Sequence, residues 1–449
     1  QHTIGSSNTR IAPILQLVLG NMGVSGGGCN ILRGHDNVQG ATDMANLPDN
    51  LPGYYPKNEG SWKYFAKMWK VDFEWLQKNF IKPEWMFKPG FSLARWWAGT
   101  LNGKDGNDAI DNAGDSLKAL VVIGNGITST AQQAKVQEGL DALELLVCVD
   151  PFVNDAAVIT NKKDNVYIIP ASTQYETSGT VVATNRSGQW RSQVCKPLYE
   201  SIPDHELLFE LAKRIGFYDE LTRTIRDADG KIEWPEAATH EIANIIKTIG
   251  MTGWTPERLK RHQENWDKFD EVTSLGKPGT PVEGEYYGLP WPCWTENHPG
   301  SPILYDTHKS VREGGMGFRN RFGLEHNGVS QLAAEGAAPV GSSINGGYPE
   351  IKKDNIEKIL GITLTDDEKA RIGASWSTDD SNIIATKCLE KNIAPYGNAR
   401  ARTIVWTFAD QIPQHREPIH SPRPDLAKKY PSFKDKAKQY RVDTKFESL

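Results

Sequence analysis

The chain has 449 residues, 38% of them apolar and 24% charged, with a formal net charge of -5. Such a length suggests about three domains. The composition is that of a globular protein with ample core, and the negative balance argues against a nucleic-acid binder held by a global basic field. No run of 18 apolar residues occurs, so no transmembrane helix is expected. The five cysteines, Cys29, Cys148, Cys195, Cys293 and Cys388, include no C-x-x-C pair. That leaves no zinc-ribbon or iron–sulfur motif in this chain, and an odd, sparse set is no disulfide scaffold. The chain opens on Gln1-His2 and closes on "RVDTKFESL", and is read as an internal piece of a longer protein.

Residues 11–19, "IAPILQLVL", place Ile11, Ile14, Leu15, Val18 and Leu19 at helical spacing. Pro13 is expected near a first turn, with Gly20 and Asn21 as stops. Seven glycines follow within residues 20–44, among Arg33, His35, Asp36, Asn37, Gln39 and Asp43. Loops that only connect are short, and this one carries Ile31 and Val38 as expected buried anchors. It reads as a loop wrapped around a large polar ligand. With the helix it forms a first region, residues 1–50, of the α/β core. A Trp- and Pro-rich insertion follows over 51–110, with one amphipathic helix near 61–79.

Residues 111–221 change texture. "KALVVIGNG" (118–126), "LELLVCVDPF" (143–152) and "NVYIIPAS" (165–172) are apolar runs, with a helix predicted over 129–143. Thr128 or Ser129 is its expected cap. This is the βαβ signature of a parallel sheet, and burial of both faces would explain strands that are almost continuously apolar. The fold class is therefore α/β, with a Rossmann-like parallel sheet. "DHELLFELAKRIGFYDEL" (204–221) closes the region as a helix capped by Asp204. Residues 222–449 read as an irregular extension with helices near 354–360 and 365–372. A proline-rich strap ends it, carrying His415 and His420. Its Trp and Tyr residues could line a subunit interface or fill a core.

Ligands of an open parallel sheet bind beyond the carboxyl ends of its strands. The first strand leads to Gly124, Asn125 and Gly126, where bare backbone can approach a phosphate and the next helix adds its positive end. The alternative there is a plain tight turn. The second ends at Asp150, an acceptor for a ribose hydroxyl or a guanine edge, or else a loop cap. The third leads to "YETSGTVVATNRSGQW" (175–190). Order and spacing together favour a nucleotide site. No H-E-x-x-H, G-x-S-x-G or P-loop occurs, and position 129 is Ser, so the first turn is not G-x-G-x-x-G.

The string "QHTIGSSNTR", then "NVQG", "LPDNLPGYYP", "VDPF", "IIPASTQYETSG", "NRSGQW" and "HREPIHSPRPDLAKKYP", resembles the molybdopterin oxidoreductases. It is most similar to the catalytic subunit of respiratory, membrane-associated formate dehydrogenases. The resemblance implies a bis-molybdopterin guanine dinucleotide cofactor with molybdenum or tungsten. It puts Arg33, Gly34, Asn37, Gln39, Gly40 and Asp43 at the pterin end. Gly124, Asn125, Gly126, Asp150 and Phe152 would hold a dinucleotide tail, with Glu176, Gly179, Asn185, Arg186 and Gln189 around it. Arg10 would orient formate, its fork matching a carboxylate; pairing with the helix surroundings or a cofactor phosphate is the alternative. No residue of this chain is assigned as a metal ligand.

The family's cluster cysteines, its metal-ligating selenocysteine or cysteine and its C-terminal barrel have no counterpart here. A 4Fe–4S cluster would belong to the missing N-terminal part, and this chain alone would be inactive. The implied partners are an iron–sulfur electron-transfer subunit and a membrane cytochrome b subunit, with no nucleic acid and no membrane span in this chain. The implied compartment is the periplasm, with the cytoplasm as alternative. Two other readings stay open: a non-catalytic scaffold of the same fold in a respiratory complex, and an ordinary Rossmann dehydrogenase binding NAD.

Overall fold

A computed structural model describes residues 5–21, 24–34, 37–46, 50–83, 86, 93, 96–101, 117–129, 132–303, 306, 308–315, 325–326, 329–330, 350–396, 415, 417 and 421–430. The chain divides into two compact units, Gln1–Leu32 with Trp291–Leu449, and Arg33–Pro290. No helix among the described residues is long and apolar enough to cross a membrane.

The first unit opens with α1, Gly5–Val18. It starts earlier than the apolar spacing predicts, so Pro13 sits inside the helix and not in its first turn. Gly20 (φ +71) closes it, and the Asn21 amide bonds back to Gln16 O at 2.9 Å.

The second unit begins with the glycine-rich loop and α2, Val38–Asp43. The insertion folds as α3, Glu59–Met68, and α4, Phe73–Asn79, where one helix was expected. Lys70 breaks the pattern at φ +54, and Asn58 and Asp72 cap the two starts by accepting from Ser61 N and Trp75 N at 2.8 Å each. A single turn, α5 (Trp97–Thr100), precedes the sheet. Tyr64 ties the insertion to the rest of the unit by donating to Ile245 O at 2.7 Å.

The sheet is β1 (Ala119–Ile123), β2 (Leu145–Asp150) and β3 (Val166–Pro170), parallel and in sequence order. Val121 pairs with Val147, and Val147 with Tyr167. The connecting helices α6 (Gln133–Asp141) and α7 (Asp155–Ile159) both pack on one face. There Val122, Leu146 and Cys148 meet Val136, Leu140, Ala156 and Trp96. Right-handed crossovers put both helices on that side. The opposite face is not covered as expected: Val121 is 52% and Tyr167 56% exposed.

Helix α6 also starts four residues later than predicted. Ile127–Ser129 is a 3-10 turn, the Ser129 hydroxyl donates to Gly126 O, and Thr128 bonds Asp155. Neither hydroxyl caps α6, so the turn at Gly124–Gly126 runs into the 3-10 turn before any α-helix begins.

An antiparallel hairpin follows, β4 (Gly179–Val182) with β5 (Gly188–Arg191). The predicted closing helix is two: α8, Asp204–Ile215, and α9, Tyr218–Thr222, divided by Gly216 at φ +84. Pro203 takes the cap position, so Asp204 is the first helical residue and not the cap. Helices α10 (Glu236–Ile245) and α11 (Pro256–Glu264) complete the unit, α11 lying on β5.

The remainder of the first unit holds α12 (Ile356–Leu360), α13 (Asp366–Arg371), α14 (Ile383–Glu390) and the short α15 (Pro424–Lys429). Ile351, Ile356, Ile384 and Cys388 form its core with Trp294, Trp376 and Tyr396. The rings of Trp294 and Tyr396 stand 5.6 Å apart. These three aromatics fill a core, while Trp266 of the same predicted extension is 70% exposed. Residues 412–414, 416 and 418–420 of the strap lie outside the described residues, His420 included.

Candidate functional site

Strands β1, β2 and β3 end on the same side of the sheet at Ile123, Asp150 and Pro170. Beyond them Gly124 turns at φ +56 and donates its amide to Val149 O at 2.9 Å. The segment after β3 extends the parallel pairing, Ser172 N bonding Ile202 O at 2.9 Å, and delivers Asp204 to the start of α8. A cleft of about 440 Å³ opens here, lined by Gly124, Val149, Ser172, Thr173, Gln174 and Asp204 among others. A second, of about 520 Å³, shares Ser172, Thr173, Gln174 and Asp204 and reaches Asn37, Gly179, Arg191, His205 and Trp234.

The electrostatics of this wall are mixed. Burial, then the charge of Asp150, raises the Asp204 pKa. His205 stacks on Trp234 with centroids 4.4 Å apart, and burial pushes it down to about 4. Arg191 donates to the carbonyls of Gln174 and Thr177, and burial lowers its pKa. The Ser172 hydroxyl is buried and has no hydrogen-bond partner among the described residues.

The loop before α2 docks on the hairpin. Asn37, at φ +66, accepts from Val182 N at 2.9 Å, and Thr184 Oγ1 reaches Arg33 O at 3.5 Å. A Cβ on Gly40 would stand 2.0 Å from Asn37 Oδ1 and 2.9 Å from Val182 Cγ2, so glycine permits the approach. Asp43 is fully buried and accepts from Gln39 Nε2 and Tyr54 OH at 2.7 Å each. Arg33 is half-buried and donates to Thr42 Oγ1 at 2.5 Å; Gly34 is exposed. Ile31 and Val38 are 68% and 38% exposed, not the buried anchors expected. His35 and Asp36 lie outside the described residues.

Several predicted residues shape loops. Asp150 accepts from Phe152 N and Asn154 Nδ2 at 3.3 and 3.2 Å, and the same Asn154 amide bonds Asn125 O at 3.0 Å. Gly126 stands close enough that a Cβ would contact Asp155. Phe152 is 82% exposed. Glu176 is buried and accepts from Thr173 N at 2.6 Å and Leu198 N at 2.8 Å, bonds that lower its pKa. Asn185 accepts from Ser187 at the hairpin turn, where Arg186 is buried at φ +71, and Gln189 of β5 pairs with Val181 of β4.

Of the predicted residues, Asn37, Gly124 and Gly179 line the clefts. Ser172, Thr173, Gln174, Arg191, Asp204, His205 and Trp234 line them too and were not predicted as site residues. The polar run after the third apolar strand was the available signal for Ser172 to Gln174. Arg10 alone belongs to the other unit, half-buried on α1.

Residues 1–214 match the sequence profile of the family described as Molybdopterin oxidoreductase. The alpha subunit of a formate dehydrogenase from Methanocaldococcus jannaschii is 28% identical over 335 residues, which are 74% of this chain and 39% of that protein. Formate dehydrogenase subunit alpha from Megalodesulfovibrio gigas is 32% identical over 245 residues, 48% of this chain and 24% of that protein. Among solved structures, acetylene hydratase from Pelobacter acetylenicus aligns over 72% of this chain and 38% of its own at 14% identity, with a TM-score of 0.28. The chain spans about two fifths or less of the length of the two formate dehydrogenase subunits it matches. The profile match takes in the glycine-rich loop, the parallel sheet, the hairpin and nearly all of α8, so the likeness to the molybdopterin oxidoreductases lies in residues 1–214, a little under half of the chain.

Proposed function

We propose that this chain is the cofactor-holding part of a formate dehydrogenase catalytic subunit. The names of the relatives support the substrate, and the clefts support the ligand. The observation that carries the ligand reading is the Ser172 hydroxyl, buried in the wall both clefts share and unpartnered among the described residues. Leaving such a group unpaired costs roughly 1–3 kcal/mol, and rotation of the Ser172 side chain toward the cleft would let a polar ligand recover it. The donor set around it fits a pterin guanine dinucleotide. Gly124 has open space where a side chain would stand, and Asp204 can accept from the N–H edge of a guanine.

In this reading Gly124, Asn125, Gly126, Ser172 and Asp204 hold a nucleotide tail. Asp150, Phe152 and Glu176 shape its loops. Gly179, Asn185, Arg186 and Gln189 present the hairpin, and Arg33, Gly34, Asn37, Gln39, Gly40 and Asp43 form the pterin-facing loop. The bound group, with molybdenum or tungsten, supplies the two-electron chemistry; the chain supplies position and field. A guanidinium orients the formate carboxylate. Arg10 is our first choice, and Arg33, on the loop itself, is its rival. The wider reading includes the bis-dinucleotide form, a 4Fe–4S cluster elsewhere in the longer protein, iron–sulfur and cytochrome b partner subunits, and a periplasmic location.

The test is formate-dependent dye reduction by the full-length gene product purified without oxygen, with metal analysis. Turnover with molybdenum or tungsten bound is expected. Arg10→Lys should lower kcat/KM for formate by about a hundredfold, as loss of a bidentate charged contact does. Unchanged kinetics in that variant with loss in Arg33→Lys would transfer the role to Arg33. Protein without metal and without turnover would replace the enzyme by a scaffold subunit.

A further inference from the structure

His262 lies on α11, is 1% exposed, and has both ring nitrogens engaged. Nδ1 accepts the Gly288 amide at 2.9 Å, and only an unprotonated nitrogen can accept. Nε2 therefore carries the proton and donates to Glu285 Oε2 at 2.7 Å. Burial opposes a charge on Glu285, yet His262, Arg258 and Arg261 together hold its pKa at about 2. Arg258 and Arg261 reach that carboxylate at 2.9 and 2.7 Å. Burial, aided by the two arginines, keeps His262 itself neutral against the pull of Glu285. The tautomer is fixed by its surroundings.

The connection continues through backbone. Gly288 O accepts the Gly188 amide at 2.7 Å. Gly288 sits at φ +71, and a Cβ there would stand 2.7 Å from both Gly188 O and Ser187 Cβ. Gly188 also meets Trp254, whose ring a Cβ would approach to 3.0 Å, while Trp254 Nε1 donates to Leu289 O at 2.6 Å. Gly188 is thus gripped between residue 288 and Trp254 at the first position of β5, directly after the turn that carries Asn185 and Arg186.

We propose that His262 is a positioning residue: by holding Gly288 it sets the β4–β5 hairpin, whose Gly179 and Arg191 line the second cleft, against the bound cofactor. The inference rests on the cofactor reading proposed above. A histidine that merely filled space could be exchanged for phenylalanine. This one acts through a bond from each nitrogen, and the bond to Gly288 is the one that reaches the hairpin.

The experiment is hydrogen exchange by mass spectrometry on the full-length enzyme, paired with its pterin content. In His262→Phe, which keeps the ring and neither bond, a peptide spanning 180–191 should exchange about tenfold faster, the loss of about one net hydrogen bond. A peptide spanning 145–150 in β2 should keep its wild-type rate. Retained pterin should fall severalfold. His262→Asn, which restores an acceptor near Nδ1, should recover most of both. Wild-type exchange at 180–191 in the Phe variant overturns the proposal. So does equal acceleration in both peptides, or faster hairpin exchange with undiminished pterin. Wild-type enzyme lacking any pterin is a separate failure: it sinks the cofactor reading and the positioning role with it, while the exchange rates still report how the hairpin is anchored.

Discussion

His205 shows what a single residue gains from its neighbours. Alone it is an ordinary imidazole on an amphipathic helix. Stacked on Trp234 and half-buried in the cleft wall, it is held neutral, with a pKa of about 4 against an ordinary 6.5. The unfolded chain therefore binds more protons between pH 6.5 and 4, and stability falls as pH drops through that window. Urea unfolding at pH 7 and pH 5 should show a loss on acidification that is smaller in His205→Phe. An identical loss in that variant would mean that His205 is not the titrating group. Glu285 acts in a lower window: its depressed pKa gives stability that is present above about pH 4.5 and lost as pH falls toward 2.

At the scale of elements, helix limits follow backbone conformations that hydrophobic spacing does not report. Lys70 at φ +54 divides α3 from α4, and Gly216 at φ +84 divides α8 from α9, while the apolar pattern runs on through both. Docking of α2 on β4 is set by an absent side chain. Gly40→Ala would drive a methyl into Asn37 Oδ1 and Val182 Cγ2 and displace the bond from Val182 N to Asn37. The expected cost is about 1–3 kcal/mol, as for overpacking elsewhere, read as a lower urea midpoint with unchanged slope. An unaltered midpoint would show that the loop can leave the hairpin without loss.

On the whole-molecule scale, the two units rest on different cores. The first gathers Ile351, Ile356, Ile384 and Cys388 around three aromatic rings. Ile384 is fully buried there, so Ile384→Ala should cost about 2–5 kcal/mol by loss of contacts and an unfilled cavity. Faster hydrogen exchange across 351–396 would register it, and wild-type protection would disprove this core. The second unit is built around a sheet with both crossover helices on one face. Val121 and Tyr167 are left open on the other, although parallel sheets ordinarily bury both.

The parallel sheet and the polar turn after each strand were legible in the sequence, because short apolar runs separated by a helical stretch admit few arrangements; the strand order came from the structure. A turn at Gly124 was legible as well, whereas the close approach of Gly40 to Asn37 and Val182 was not. The family likeness was legible too, since it is carried by contiguous strings. What the sequence did not reveal depends on contacts between distant positions. Asn37, Ser172, Arg191, Asp204 and Trp234 meet around one cleft only after β3, the hairpin, α8 and α10 have packed. Glu176, which the resemblance places around a dinucleotide, is drawn into its own loop by two backbone amides. His262 has no local signature at all, and its partners are Glu285 and Gly288. Local pattern determined the elements, because periodicity and turn chemistry act over a few residues. Tertiary packing decided the site, because burial and hydrogen-bond pairing join side chains that the chain itself keeps far apart.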